Sequence, residues 1–244
     1  TGTDFGPKDG TSNPVTAVYQ NTALNSTYAS GEFTARECVV SVAHTQITCK
    51  PVVGVGSGQR WKVTVGDQQS TASSDTTSYS APAISGLGGL ALFNTNGTTD
   101  GELVTIAGTN FGPVDDGNDV IAVYQNAALS STYAKGAFTG VECAVAVNHT
   151  QITCKPSIGA GKDQRWNVTV GDQQSTASSD TTSYTAPAIE HIVVDTISGT
   201  LETHNLSQGV RLIGSNFGPA IERNEIYGTY KNTALLGRLA SSEF

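Results

Sequence analysis

The sequence predicts an all-β protein, built of β-sandwich units repeated in tandem and arranged as a rod. Three observations carry that expectation. A long stretch of the chain occurs twice almost unchanged. Short runs rich in Val, Ile, Thr and aromatics are separated by Gly, Asn, Asp and Pro. No segment carries a convincing helical stripe.

The repeat comes first. Tyr19–Ala83 and Tyr124–Ala188 align without gaps at an offset of 105 residues, and 49 of the 65 positions are identical. Upstream, D-F-G-P at Asp4–Pro7 matches N-F-G-P at Asn110–Pro113. A third copy begins: Val210–Pro219 matches Val104–Pro113, and Tyr230–Leu235 matches Tyr19–Leu24. The organisation expected is a partial unit at 1–82 without its first strands, a complete unit at 83–187, and a partial unit at 188–244 without its second half. Methionine is absent, so the chain reads as a mature piece or a window on something longer.

In the complete unit, Glu102–Ala107, Val120–Gln125, Cys143–Val147, Gln151–Lys155 and Arg165–Val170 read as strands. Cys143, Val145 and Val147 share one face, as do Trp166, Val168 and Val170, which is the period of a half-buried strand. Turn chemistry separates them at Gly108–Asn110, Asp115–Asn118, Gly159–Gly161 and Gly171–Asp172. Such spacing over about 105 residues fits a sandwich of about seven strands. The units join through T-S-Y-S-A-P-A-I (Thr77–Ile84) and T-S-Y-T-A-P-A-I (Thr182–Ile189). The Ala-Pro step favours extended backbone, and no flexible Gly/Ser linker intervenes.

Composition excludes several functions. Acids exceed bases by 21 to 13, for a net charge of −8, which opposes nucleic acid and anionic membrane surfaces as partners. No apolar run approaches the ~20 residues of a membrane-spanning helix. With four histidines and only 14% charged residues, no catalytic residue or cofactor site is assigned and an enzyme is not expected. His44 and His149 sit at equivalent hairpin turns without a neighbouring acid, so they read as turn residues rather than bases. Asp115, Asp116 and Asp119 could offer oxygens to calcium, but D-D-G-N-D lacks the spacing of a calcium loop and reads as solvated. Arg60–Trp61 and Arg165–Trp166 could stack a sugar or base, yet the tryptophans keep phase with core valines. Gly54, Gly56 and Gly58 precede a strand with no Lys-Ser/Thr after them, which rules out a phosphate loop.

G-x-N-F-G-P after an alternating strand, a C-x10-C hairpin, W-x-V-x-V-G and a closing Y-x-A-P-x-I together resemble the IPT/TIG domain. That resemblance spans essentially the whole chain and implies an immunoglobulin-like fold. Similar domains occur in plexins, scatter-factor receptors and other surface proteins, in Rel-type transcription factors, and beside catalytic domains of some starch-acting enzymes. The family therefore implies a spacer or binding module and constrains function loosely.

Each unit has one cysteine pair at the ends of a hairpin, and the pairing expected is Cys38–Cys49 and Cys143–Cys154. Buried thiols are the alternative; zinc is disfavoured because C-x10-C lacks the close spacing of zinc ligands. Disulfides place the chain in an oxidising compartment, extracellular or on the cell surface. Five N-glycosylation sequons agree, at Asn25, Asn96, Asn148, Asn167 and Asn205. Hydroxyl-rich segments before the proline suggest O-glycans at Ser70, Thr71, Thr76 and Thr77, and at Ser175, Thr176, Thr181 and Thr182. The function expected is structural: a glycosylated repeat unit of a head-to-tail filament or rod-like surface array, whose partners are copies of itself. The alternatives are an adhesion or receptor ectodomain that binds a partner protein, and a carbohydrate-binding accessory module. Because both end units are partial, completion must come from outside them, either from a longer tandem chain or from strands exchanged between copies.

Overall fold

The computed structural model describes residues 1–8, 14–89, 92–93, 103–114, 117–194, 209–220 and 226–230. Residues 1–82, unit one of the division expected from the repeat, contain β1 (Val15–Gln20), β2 (Phe33–Thr34), β3 (Arg36–Val42), β4 (Gln46–Lys50), β5 (Gln59–Val65), β6 (Gln68–Gln69) and β7 (Thr76–Thr77), with a helical turn, α1 (Thr27–Ser30). Unit two (83–187) begins with β8 (Ala83–Gly89), β9 (Leu92–Phe93), β10 (Val104–Thr109), β11 (Val120–Gln125) and β12 (Phe138–Thr139). It continues with β13 (Val141–Val147), β14 (Gln151–Lys155), β15 (Arg165–Val170), β16 (Gln173–Gln174) and β17 (Ser183–Tyr184). Unit three contributes β18 (Ala188–Val194) and β19 (Val210–Ser215).

In unit two the alternation in the sequence becomes two facing sheets. One has the order β13-β14-β10-β8 and the other β12-β11-β15-β16. β11 and β15 run antiparallel with Tyr124 opposite Trp166 and Ala122 opposite Val168. These residues, with Val170, face inward and are at most 1% exposed. The Tyr124 and Trp166 rings stack at 4.2 Å, and Phe138 stacks on Tyr124 at 5.4 Å. The facing sheet supplies Val104 and Ile106 from β10 and Ile152 and Cys154 from β14, all fully buried. Phe93 closes the core edge-on to Tyr124, Trp166 and Tyr184. It is held there by the parallel pairing of β9 with β17. Unit two thus has ten strand segments among the described residues, four of them two residues long, rather than about seven.

The G-x-N-F-G-P motif is a bulge followed by a tight turn. At Gly108 the register of β10 against β8 shifts, and a Cβ there would meet the Ala83 carbonyl. Asn110 and Gly112 then adopt left-handed backbone (φ 63° and 78°), which turns Phe111 into the core. The Phe111 N–H donates to the His149 carbonyl and the His149 N–H to the Gly112 carbonyl, which ties the motif to the β13–β14 turn.

Unit one repeats half of this. β1–β6 correspond to β11–β16, β7 corresponds to the bridge of Thr182 with Gln164, and β1 pairs with β5 in the same register, Tyr19 opposite Trp61. The β3–β4 hairpin, however, is a two-stranded sheet. Among the described residues no strand lies along the edge of β4 where β14 carries β10. In unit three, β18 and β19 form an antiparallel hairpin with a register shift matching that between β8 and β10. The helical turn α1 departs from the expectation of no helix, because four residues are too short to leave a stripe in sequence.

Candidate assembly interface

Units one and two meet at a joint built from named groups. The start of α1 leaves backbone N–H groups without intrahelical partners. Carboxylates from unit two accept them: Asn25 and Ser26 donate to Asp172 Oδ2 at 2.5 and 3.2 Å, and Thr27 donates to Asp119 Oδ2 at 3.4 Å. The Ser26 hydroxyl accepts the Ala29 N–H as the N-cap. Across the joint, Gln173 Nε2 donates to the Tyr79 carbonyl and Asn110 Nδ2 to the Ala81 carbonyl, both at 3.0 Å. Val55 is 3% exposed and fits against Gly112 and Gly171. A Cβ at Gly171 would lie 2.6 Å from the Gly56 nitrogen, so this approach requires glycine. Ala29 and Val55 belong to the same apolar cluster as the core of unit two, whereas Ala17, Tyr19, Phe33 and Ala35 form a separate cluster within unit one.

The second feature is a groove of about 840 Å³ in unit one, lined by Phe5, Ala17, Ile47, Cys49, Trp61 and Val63 and walled by 70–77. The counterparts in unit two, Phe111, Ala122, Ile152, Cys154, Trp166 and Val168, are each 0% exposed. The groove is the core face that β9 and β10 cover in unit two. Opposite in character is the β18–β19 hairpin, where Ile189, Ile192, Val210 and Leu212 are 41–63% exposed. Their counterparts Ile84, Leu87, Val104 and Ile106 pack into the core of unit two.

Each cysteine pair is bridged, Cys38 to Cys49 and Cys143 to Cys154. Asn25 and Asn148 are exposed, and Asn148 Oδ1 accepts the Val114 N–H at 2.7 Å. Asn167 is half-buried, with Nδ2 donating to the Ser175 carbonyl. Asn96 and Asn205 lie outside the described residues.

Two O-glycan expectations need correction. Ser175 is 6% exposed and its hydroxyl accepts the Val168 N–H; Thr182 is 2% exposed and its hydroxyl accepts Trp166 Nε1 at 2.8 Å. These oxygens are part of the fold and closed to a sugar. Ser70 and Thr77 make the same bonds to Val63 and Trp61 but stay exposed, as do Thr71, Thr76 and Thr176; Thr181 is half-buried.

The remaining chemical candidates resolve into structure. His44 and His149 sit in left-handed turns (φ 62° and 63°). Trp166 is core, and Arg165 turns away to donate to the Ser178 carbonyl. Asp119 binds α1, while Asp115 and Asp116 lie outside the described residues. Among the described residues no group of three His, Cys, Asp or Glu side chains is placed to hold a metal ion. Tyr124, Tyr184 and Ser157 form a buried hydroxyl network at 2.8–3.0 Å, and Tyr19 and Tyr79 pair likewise at 2.7 Å. Burial, then the neighbouring tyrosine's charge and hydrogen bond, push the Tyr184 phenol far above its ordinary range. Tyr79 is raised by burial and by its bond to Tyr19. Both stay neutral and act as hydrogen-bonding struts. Sequence reasoning did not find the joint, whose partners lie up to 147 residues apart; its one local trace is a lone valine among glycines, Gly54–Gly56.

Residues 91–185 match the family described as the IPT/TIG domain. No curated protein matches the chain. The matched stretch holds β9–β17 and the disulfide hairpin, and an IPT/TIG domain is present there.

Proposed function

With residues 91–185 an IPT/TIG domain, we propose that this chain is a structural extracellular protein, a glycosylated repeat unit of a head-to-tail filament or rod-like surface array. The observation that carries this reading is the joint. Two units identical at 49 of 65 aligned positions are joined by buried apolar residues, Ala29 and Val55, and a set of cross-joint hydrogen bonds rather than a loose tether. Units locked in that way transmit load and hold direction, which is what a rod requires. IPT/TIG domains are in general immunoglobulin-like modules without catalytic activity, and they and disulfides are typical of extracellular proteins. No helix among the described residues is long and apolar enough to cross a membrane.

The test is imaging of the native material together with its mass before and after enzymatic removal of glycans. Fibres whose subunit mass falls on deglycosylation support the reading. Isolated globular particles of unchanged mass overturn it.

A further inference from the structure

A crevice between units one and two opens beside a sequon asparagine. We propose that Asn25 carries an N-linked glycan whose first sugar, an N-acetylhexosamine, seats in that crevice and braces the joint. This rests on the glycosylated part of the reading above and names the place where one glycan acts.

The crevice holds about 560 Å³ and takes its walls from both units: Asn25 from unit one, and Val114, Asp119, Ile121, Thr169 and Asp172 from unit two. That volume is in the range of small-ligand sites. Asn25, Ser26 and Thr27 spell the acceptor sequence for N-glycosylation. The Asn25 backbone N–H is anchored on Asp172, so the position of the residue is fixed across the joint. Its exposed side-chain amide makes no hydrogen bond among the described residues and is open to substitution.

The walls suit a pyranose. Val114 and Ile121 are 57% and 53% exposed and offer an apolar platform for the C–H face of a ring. Asp119 and Asp172 bind backbone N–H groups of unit one through Oδ2, which leaves Oδ1 of each to accept a sugar hydroxyl. Asn118 lines the same crevice and is 6% exposed. Its Nδ2 donates to the Phe111 and Pro113 carbonyls, but its Oδ1 has no donor. A buried acceptor left unpaired is costly, and a sugar brings hydroxyl and acetamido N–H donors to it.

The other described sequons lack this combination. Asn148 uses Oδ1 to hold the Val114 N–H and is not among the crevice walls. Asn167 is half-buried in β15, with Nδ2 already donating to the Ser175 carbonyl. Ser130 stands at the counterpart of Asn25 in unit two, so the brace belongs to the joint between units one and two. A glycan anchored on unit one and packed on unit two favours the closed joint, because parting the units returns both the sugar and its apolar platform to water.

The test uses the whole chain from a host that N-glycosylates. Glycan release by an amidase in heavy-oxygen water, followed by peptide mapping, marks each occupied asparagine, and Asn25 is expected to be marked. Release at Asn25 from the native chain is expected to be at least ~10-fold slower than from the unfolded chain, because the linkage must first leave the crevice. Ile121→Ser changes an exposed position and leaves the chain folded. It is expected to bring native release towards the unfolded rate without changing occupancy. Glycan found at other residues but not at Asn25 overturns the inference and leaves the glycosylated reading standing. So does equal release from native and unfolded chains, or native release that Ile121→Ser does not alter. A chain without glycan on any residue sinks the glycosylated reading itself.

Discussion

Trp61 and Trp166 occupy the same place in nearly the same sequence, but only one of them is inside a protein core. Trp166 is 0% exposed between two sheets, whereas Trp61 is half-buried and lines an open groove. Their own strands are alike: the same partner tyrosine, the same register, the same threonine on the indole nitrogen. The difference is made by β8–β10, which no local feature of Gln59–Val65 encodes. Local sequence sets which face of a strand is apolar; only a facing sheet converts that face into burial.

The largest expected effect breaks this comparison directly. Trp166→Ala removes a fully enclosed side chain and should cost about 3–5 kcal/mol. Trp61→Ala, at a site already open to water, should cost less than half as much in the isolated chain. Denaturant unfolding of the two variants measures both. Equal losses would mean that the groove closes in solution. Acrylamide quenching sharpens the same point, with the Trp61 fluorescence, isolated in Trp166→Phe, quenched more strongly than that of Trp166.

The disulfides come next. Each bridge closes a short hairpin and stabilises by roughly 2–3 kcal/mol on the chain-entropy model. Cys154 is 0% exposed while Cys49 is half-buried, so an attacking thiolate reaches Cys38–Cys49 first. Partial reduction and alkylation, followed by peptide mapping, should label Cys38 and Cys49 well before Cys143 and Cys154. Simultaneous labelling would remove the distinction between the units.

Smaller effects concern the joint. Asp172→Ala strips two backbone N–H groups of their acceptor and should cost about 1–2 kcal/mol. Gly171→Val drives a side chain into Val55 and Gly56 at a residue with φ 56°, and should cost about 1–3 kcal/mol. Both should split unfolding into two transitions where the wild type shows the units melting together. A wild type that already melts in two steps would show the joint to be too weak to couple them.

Much of the sandwich was legible because it is local. The runs at Val120–Gln125, Gln151–Lys155 and Arg165–Val170 became strands with those bounds, since period-two patterning states both the element and its buried face. The cysteine pairs followed from hairpin geometry. What failed to show is long-range or small. β9 is two residues whose position depends on β17, some ninety residues later. The joint depends on Asp172 meeting a one-turn helix that leaves no stripe. Ser175 and Thr182 lie in a hydroxyl-rich segment like any exposed edge, and only the fold reveals that their oxygens hold β15.

The smallest effect is at alkaline pH. Burial first, then the tyrosine neighbours, raises the phenols of Tyr79 and Tyr184 in the folded chain above the ordinary tyrosine value of about 10. Below that value both folded and unfolded chains keep the proton, and stability does not depend on these groups. As pH rises past it, the unfolded chain loses protons that the folded chain retains. The unfolded state then binds fewer protons, so stability falls with pH. The two units should differ in how the folded state gives way. Tyr184 is 4% exposed and should form tyrosinate only as unit two unfolds, in one cooperative step. Tyr79 is half-buried and should ionise more gradually and at lower pH. Tyrosinate absorbance of Tyr79→Phe and Tyr184→Phe variants, followed alongside circular dichroism, separates the two. A single cooperative alkaline step in both variants would show that water does not reach the Tyr19–Tyr79 pair before the chain unfolds.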